Sequence, residues 1–215
     1  MHDLQSFFES TSGQVITVII IVILFLIILI SGKKEKKKPD TKALVVCAIL
    51  TALSMVLSSI TLFSMPQGGS ITLFGMLPIV LAAYFFGVRD GVMTGICVGL
   101  INLIIAPYVI HPAQLLLDYP LAFGALAFGG ALRNSGRHAL PLVYIVGVLC
   151  RYACAVLSGV IFFGAYAPAG YNTLTWSLVY NGTYLAVEGG ITLIVLMIPS
   201  VGRFFRKLRD QVSQP

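Results

Sequence analysis

Seven long apolar runs, each close to the length of a membrane-crossing helix and nearly free of charge, leave this chain with lipid as its solvent. They read as about Val15 to Ile30, Ala43 to Phe63, Ile71 to Phe86, Gly91 to Ala106, Leu115 to Leu132, Leu140 to Ala165 and Trp176 to Val201. With 58% hydrophobic and 10% charged residues among 215, no stretch remains for a separate soluble domain. The only other spanning architecture is a closed barrel, whose strands alternate apolar and polar residues; the runs here are continuous. The expected fold class is therefore all-α: a polytopic membrane bundle with a six-helix core and one extra N-terminal transmembrane helix.

The net charge of +6 does not point to nucleic acid, because the cations sit in short clusters between the apolar runs and not along one face. Lys33, Lys34, Lys36, Lys37, Lys38 and Lys42 follow the first run, Arg89 the third, Arg133 and Arg137 the fifth, and Arg203, Arg206, Lys207 and Arg209 the last. Every second boundary is basic. The positive-inside rule then predicts an outside N-terminus, a cytoplasmic C-terminus and outward loops near Met65, Pro107 and Ala167. The first run follows Asp3 and Glu9 and precedes its lysines, the reverse of a secretory signal, so it is expected to stay as an anchor. This divides the chain into an anchor (1–32), a charged linker (33–42), a membrane domain (43–203) and a basic cytoplasmic tail (204–215).

Several chemistries are excluded. Pro66-Gln67-Gly68-Gly69-Ser70 lacks the lysine and hydroxyl residue of a nucleotide-binding loop at the required spacing, so the chain is not an ATPase. No metalloprotease or serine-hydrolase pattern is present, and an enzyme is not expected. Cys47, Cys97, Cys150 and Cys154 all fall inside apolar runs as small reduced packing residues, and Cys150 with Cys154 makes a poor metal site without a histidine or a second pair.

Polar groups inside hydrocarbon are costly, so each needs a partner or a function. Within the runs these are Asn102, Gln114, Asp118, Arg151, Asn181 and Glu188, with His111 just outside. Asp118, Asn181, Phe163 and Tyr166 fall at one level in the outer third of the bundle, with Tyr119, Trp176, Tyr180 and Tyr184 adding aromatic surface. A carboxylate among aromatic faces suits a flat cationic heteroaromatic ligand. The bland alternative is an interfacial aromatic belt with Asp118 capping its helix. Arg151 and Glu188 both lie near mid-membrane, and an internal ion pair is the simplest reading. Since Asn181, Tyr184 and Glu188 share one helical face, Glu188 at the cavity floor is the other.

The stretches Ser64-Met65-Pro66-Gln67-Gly68-Gly69-Ser70, His111 through Tyr119, Arg151-Tyr152, Ser158-Gly159, Phe162-Phe163-Gly164 and Ala167-Pro168 through Tyr184 resemble the thiamine-binding subunit family (the S component) of energy-coupling factor transporters. The resemblance spans the six-helix core. It implies a subunit that binds thiamine from outside and joins a transmembrane coupling protein and two cytoplasmic ATPases, needing no cofactor of its own. It assigns the acid and its neighbour to Asp118 and Tyr119, ring stacking to Phe163 and Trp176, and an amide contact to Asn181. An Ala-x-x-x-Ala docking motif for the coupling protein matches Ala48 and Ala52, where small side chains permit close helix approach. Two departures stand out. Ala155 replaces a ligand-contacting histidine found in many members, which keeps a related vitamin or precursor open as the ligand, and the N-terminal helix is extra. From another class, a non-transporting membrane scaffold is the remaining alternative.

Overall fold

The computed structural model describes residues 41–213, together with Ser10, Ser12, Gly13, Val15, Ile16, Ile19 and Ile23. The expected anchor helix, most of whose residues are not among these, and all of the linker before Thr41 lie outside the described residues. Among the described residues the chain is a helical membrane bundle: α1 (Thr41–Ser59), a hairpin of β1 (Thr61–Ser64) and β2 (Ser70–Thr72), α2 (Leu77–Phe86), α3 (Val88–Ile105), α4 (Pro112–Leu132), α5 (Ala139–Phe162), α6 (Thr173–Met197) and α7 (Pro199–Val212). Of these, α1, α3, α4, α5 and α6 are long and apolar enough to cross a membrane.

The expected span Ile71 to Phe86 begins as the end of a strand, passes through a turn and becomes helix only at Leu77. Ser70–Thr72 pairs antiparallel with Thr61–Ser64 in the register Thr61 to Thr72, Phe63 to Ile71 and Ser64 to Ser70. The hairpin closes where Gly68 (φ 82°) and Gly69 (φ 84°) take the left-handed backbone that side chains disfavour, and Met65 N donates to Gly69 O at 3.0 Å. That is the structural use of the glycine pair singled out in the sequence. Helix α2 begins only at Leu77, with Pro78 in its first turn, where a missing N–H costs nothing. Its ten residues are too short to cross a bilayer, and Pro78 through Phe85 are all buried. Around α2 the core gathers Val98 of α3, Leu126 of α4, Leu140, Val143 and Tyr144 of α5, and Leu185 and Leu196 of α6.

Helix α4 starts at Pro112, earlier than the expected Leu115, and is irregular. It passes through a π-helical turn at Leu117–Leu121 and ends in a 3-10 stretch at Leu126–Leu132. Pro120 has no N–H to give, and Ala122 N reaches back to Leu117 O to close the wide turn. Gly99 of α3 lies against the carbonyl of Tyr119, where a Cβ would collide with backbone, so α3 and α4 meet closely at this turn.

The last expected span, Trp176 to Val201, breaks at Ile198 (φ −63°, ψ 122°), and α7 begins at Pro199. The division between domain and tail at 203/204 therefore falls inside a helix. Val201, Phe205, Leu208 and Val212 pack against the core, while Lys42 Nζ donates to Gln211 O at 2.9 Å and Ser213 Oγ to Phe85 O at 3.0 Å. These bonds gather the start of α1, the end of α2 and α7 at one end of the bundle, the basic end. The hairpin and the loops around Tyr108 and Tyr166 gather at the other.

Candidate ligand-binding site

At the hairpin end the helices enclose a cavity of about 360 Å³. Its size lies within the range of small-molecule pockets. One wall is α6, where Trp176, Tyr180 and Tyr184 recur every fourth residue and Ser177 and Asn181 line the adjoining stripe. The facing wall is α5, with Arg151, Ala155, Ser158, Gly159 and Phe163. The π-helical turn of α4 brings Asp118 and Tyr119, and the Gln67-Gly68-Gly69-Ser70 turn forms the roof.

Asp118 does not cap its helix. That role belongs to His111, whose Nδ1 accepts from Ala113 N at 3.1 Å. The Asp118 carboxylate accepts one hydrogen bond through Oδ2 from Gln114 Nε2 at 2.5 Å. Gln114 is itself oriented by donating to Tyr108 O at 3.1 Å and accepting from Ile110 N at 3.2 Å. Gln114 thus holds one carboxylate oxygen, and Ser158 of α5 lies beside the carboxylate. Tyr119 works through its neighbour: its hydroxyl accepts from Tyr108 N at 2.7 Å and donates to Ala106 O at 3.1 Å. This seats the Tyr108 ring stacked on Phe163, with centroids 6.1 Å apart and planes at 18°.

The amide of Asn181 is committed in one orientation. Nδ2 donates to Ala155 O (3.2 Å), Ser177 O (3.0 Å) and Ser177 Oγ (3.2 Å), while Oδ1 accepts from Tyr184 Oη at 3.0 Å. Turning the amide over would set its oxygen against two carbonyl oxygens, so both donors are spent and only the second lone pair of Oδ1 remains. Gly159 permits this arrangement, because a Cβ there would run into Ser177 Oγ. Gly159→Ala is accordingly expected to weaken ligand binding at least tenfold by pushing Ser177 and Asn181 off these bonds, checked by titration alongside a melting curve.

The roof is tied to α6 at two points. Tyr180 Oη accepts from Gln67 N at 2.8 Å and donates to Gly68 O at 2.9 Å. Deeper down, the buried carboxylate of Glu188 accepts from Thr72 N (2.9 Å), Thr72 Oγ1 (2.8 Å) and Met76 N (3.3 Å).

The structure thus brings together Asp118, Tyr119, Phe163, Trp176, Tyr180, Asn181 and Tyr184 around one cavity. Tyr166 is not part of the lining: it is 47% exposed and touches the site only through its ring, 6.0 Å from that of Phe163. The expected Arg151–Glu188 ion pair does not form. Glu188 is satisfied by the hairpin base, and the Arg151 guanidinium lies 3.9 Å over the Phe123 ring at the cavity wall. Sequence reasoning missed Tyr108, and noted Ser158, the hairpin stretch and Gln114 without a role at the site. For Gln114, its position four residues before Asp118, on the same helical face, was the available signal. Ala48 and Ala52 lie exposed on α1, outside the site.

Comparison with known proteins bears on this cavity. A family model described as "Thiamine transporter protein (Thia_YuaJ)" matches residues 44–205. The chain is 38% identical over 170 residues to "Thiamine transporter ThiT" of Bacillus subtilis (strain 168), covering 72% of this chain and 88% of that protein. It is 29% identical over 140 residues to "Thiamine transporter ThiT" of Lacticaseibacillus paracasei, covering 57% and 69%. A solved structure of ThiT from Listeria monocytogenes superposes with a TM-score of 0.62 at 30% identity, covering 74% of this chain and 96% of that one.

Proposed function

From the chain's membership of the thiamine transporter protein family, a family of membrane transporters and not of enzymes, we propose that it binds thiamine in the cavity beneath the hairpin as the substrate-binding subunit of an energy-coupling factor importer. The observation that carries the reading is the pairing of one partly satisfied carboxylate, Asp118, with a ring of aromatic side chains in one cavity. Thiamine is flat, carries a permanent positive charge on its thiazolium ring and bears an amino group on its pyrimidine. Trp176, Tyr180, Tyr108 and Phe163 offer faces for stacking and cation–π attraction, and Asp118 supplies the countercharge.

Asn181 gives the reading a polarity. With its donors spent, it accepts a hydrogen bond from the ligand, which the pyrimidine amino group supplies. An analogue with a carbonyl in place of that amino group sets acceptor against acceptor and is expected to bind roughly 5- to 150-fold more weakly, from the ~1–3 kcal/mol cost of an unmatched buried group. Competition between the two compounds checks this; equal affinities would remove Asn181 from the contact. Ala155, at the cavity wall, takes no part in polar recognition through its side chain.

Energy for import is assigned to partners: a transmembrane coupling subunit docking on α1 through Ala48 and Ala52, and two cytoplasmic ATPases that drive it. The exposure of both alanines beside Leu44, Val45, Ile49, Leu53 and Val56 supports a helix face available to another helix. The hairpin end is assigned to the outside and the basic end to the cytoplasm, following the distribution of Arg and Lys.

The direct experiment is titration of the purified full chain in detergent with thiamine, read by the fluorescence of Trp176, the only tryptophan in the chain. Saturable quenching supports the reading. A folded protein that ignores thiamine but responds to another vitamin or to a thiamine precursor would reassign the ligand within the same architecture; response to none would favour the scaffold.

A further inference from the structure

Helix α7 has two different sides. Val201, Phe205, Leu208 and Val212 are docked on the core, whereas Ser200, Arg203, Phe204, Lys207 and Gln211 recur at helical spacing on a separate, exposed flank. In the middle of that flank Phe204 is 60% exposed, with a cation one residue before it and another three residues after. The helix's cations are used differently by position. Arg206 and Arg209 donate to the carbonyls of Arg137 and Arg133, bracing the loop after α4. Among the described residues Arg203 reaches only Ser200 Oγ of its own helix, at 3.4 Å, and Lys207 has no acidic partner.

The placement of the helix says what the flank meets. Only Ile198 separates α7 from the membrane-spanning α6, and the last residue of α6, Met197 (68%), and Ile198 itself (46%) are exposed apolar groups. A turn this short holds α7 at the depth where hydrocarbon gives way to headgroups. There an exposed phenylalanine beside long basic side chains is stable, because the ring enters the acyl boundary while the cations remain among phosphates.

We propose that the Arg203, Phe204 and Lys207 flank of α7 seats on anionic phospholipid headgroups of the leaflet at the basic end of the bundle. Neutral lipid satisfies the ring but not the two cations, which have no acidic partner among the described residues, so charge selects the lipid. Each cation near an anionic surface is expected to enrich acidic lipid roughly fivefold at that spot.

The test places the reporter at position 204. Full-length protein carrying Trp176→Phe and Phe204→Trp is reconstituted in phosphatidylcholine vesicles with or without phosphatidylglycerol, with bromine quenchers on the acyl chains of one lipid at a time. Stronger quenching by brominated phosphatidylglycerol than by brominated phosphatidylcholine is expected, with the difference lost on adding Arg203→Gln and Lys207→Gln. No quenching by either lipid would mean that the flank faces water or protein; equal quenching would mean contact without charge selection, and either result overturns the proposal. A second measurement uses the native tryptophan and phenylalanine. Phosphatidylglycerol added to detergent micelles raises the melting temperature of the wild type but not of the Arg203→Gln, Lys207→Gln variant; an equal rise in both counts against the assignment. Thiamine titration of that variant reports separately on the binding site, which lies at the opposite end of the bundle.

Discussion

Asp118→Ala is expected to weaken thiamine binding by about 2–5 kcal/mol, roughly 30- to 5,000-fold in Kd. Removing the carboxylate leaves the cationic ring without a countercharge in the cavity, so the loss exceeds that of a neutral hydrogen bond. It also frees Gln114 Nε2, which keeps its bond to Tyr108 O at 3.1 Å, so the local frame survives. Asp118→Asn separates charge from shape. The amide fills the same space and can still accept from Gln114, so a loss nearly as large as in the alanine variant would assign the effect to charge. Titration by Trp176 fluorescence, or by calorimetry where the stacking signal is small, gives Kd for the three proteins, and their melting curves control for folding. An affinity within threefold of wild type in both variants would remove Asp118 from the site and leave the aromatic surface as a membrane belt.

The second large effect is on the roof. Glu188→Ala removes the acceptor for Thr72 N, Thr72 Oγ1 and Met76 N together. Each orphaned buried donor costs about 1–3 kcal/mol, and even with the Thr72 hydroxyl turning to a new partner the sum is of order 3 kcal/mol. The melting temperature should fall by roughly 5–10 °C. Thiamine should leave faster, because Gly68 and Gly69 overhang the cavity on the turn that this anchor steadies. Glu188→Gln retains one carbonyl acceptor and should show an intermediate loss, since its amide nitrogen faces a donor. Stopped-flow displacement gives the off-rate. Unchanged melting and unchanged dissociation in Glu188→Ala would show that the hairpin is held by Tyr180 and its own strand pairing.

The Glu188 anchor also shows where sequence reasoning stops. A buried acid and a buried arginine on adjacent spans read as a pair, because mutual neutralisation is the commonest way to carry charge in a membrane. Here the acid instead serves the backbone of a segment more than a hundred residues earlier, a partner that became visible only once the apolar run Ile71 to Phe86 was seen to begin as a strand. Continuous hydrophobicity cannot distinguish a spanning helix from a strand followed by a short buried helix, since both are apolar throughout. Tyr166 shows the converse: it shares a level with Phe163, but the 3-10 turn at Gly164–Tyr166 leaves it on the outer side of that ring.

By itself the sequence determined that this chain lives in lipid, that its helices form one bundle with a basic end, and that Asp118, Asn181 and the aromatic residues share a level, because hydrophobic length, charge placement and helical spacing are local properties. Only the tertiary structure decided which faces meet across that level. Asp118 points inward because Pro120 forces a wide turn, Asn181 is an acceptor because Ala155 and Ser177 consume its donors, and the glycine pair is a roof because Tyr180 and Glu188 hold it over the cavity. The bonds of Asn181 to Ala155, of Tyr180 to Gly68 and of Glu188 to Thr72 join distant segments, set by packing, and no window of sequence contains both partners.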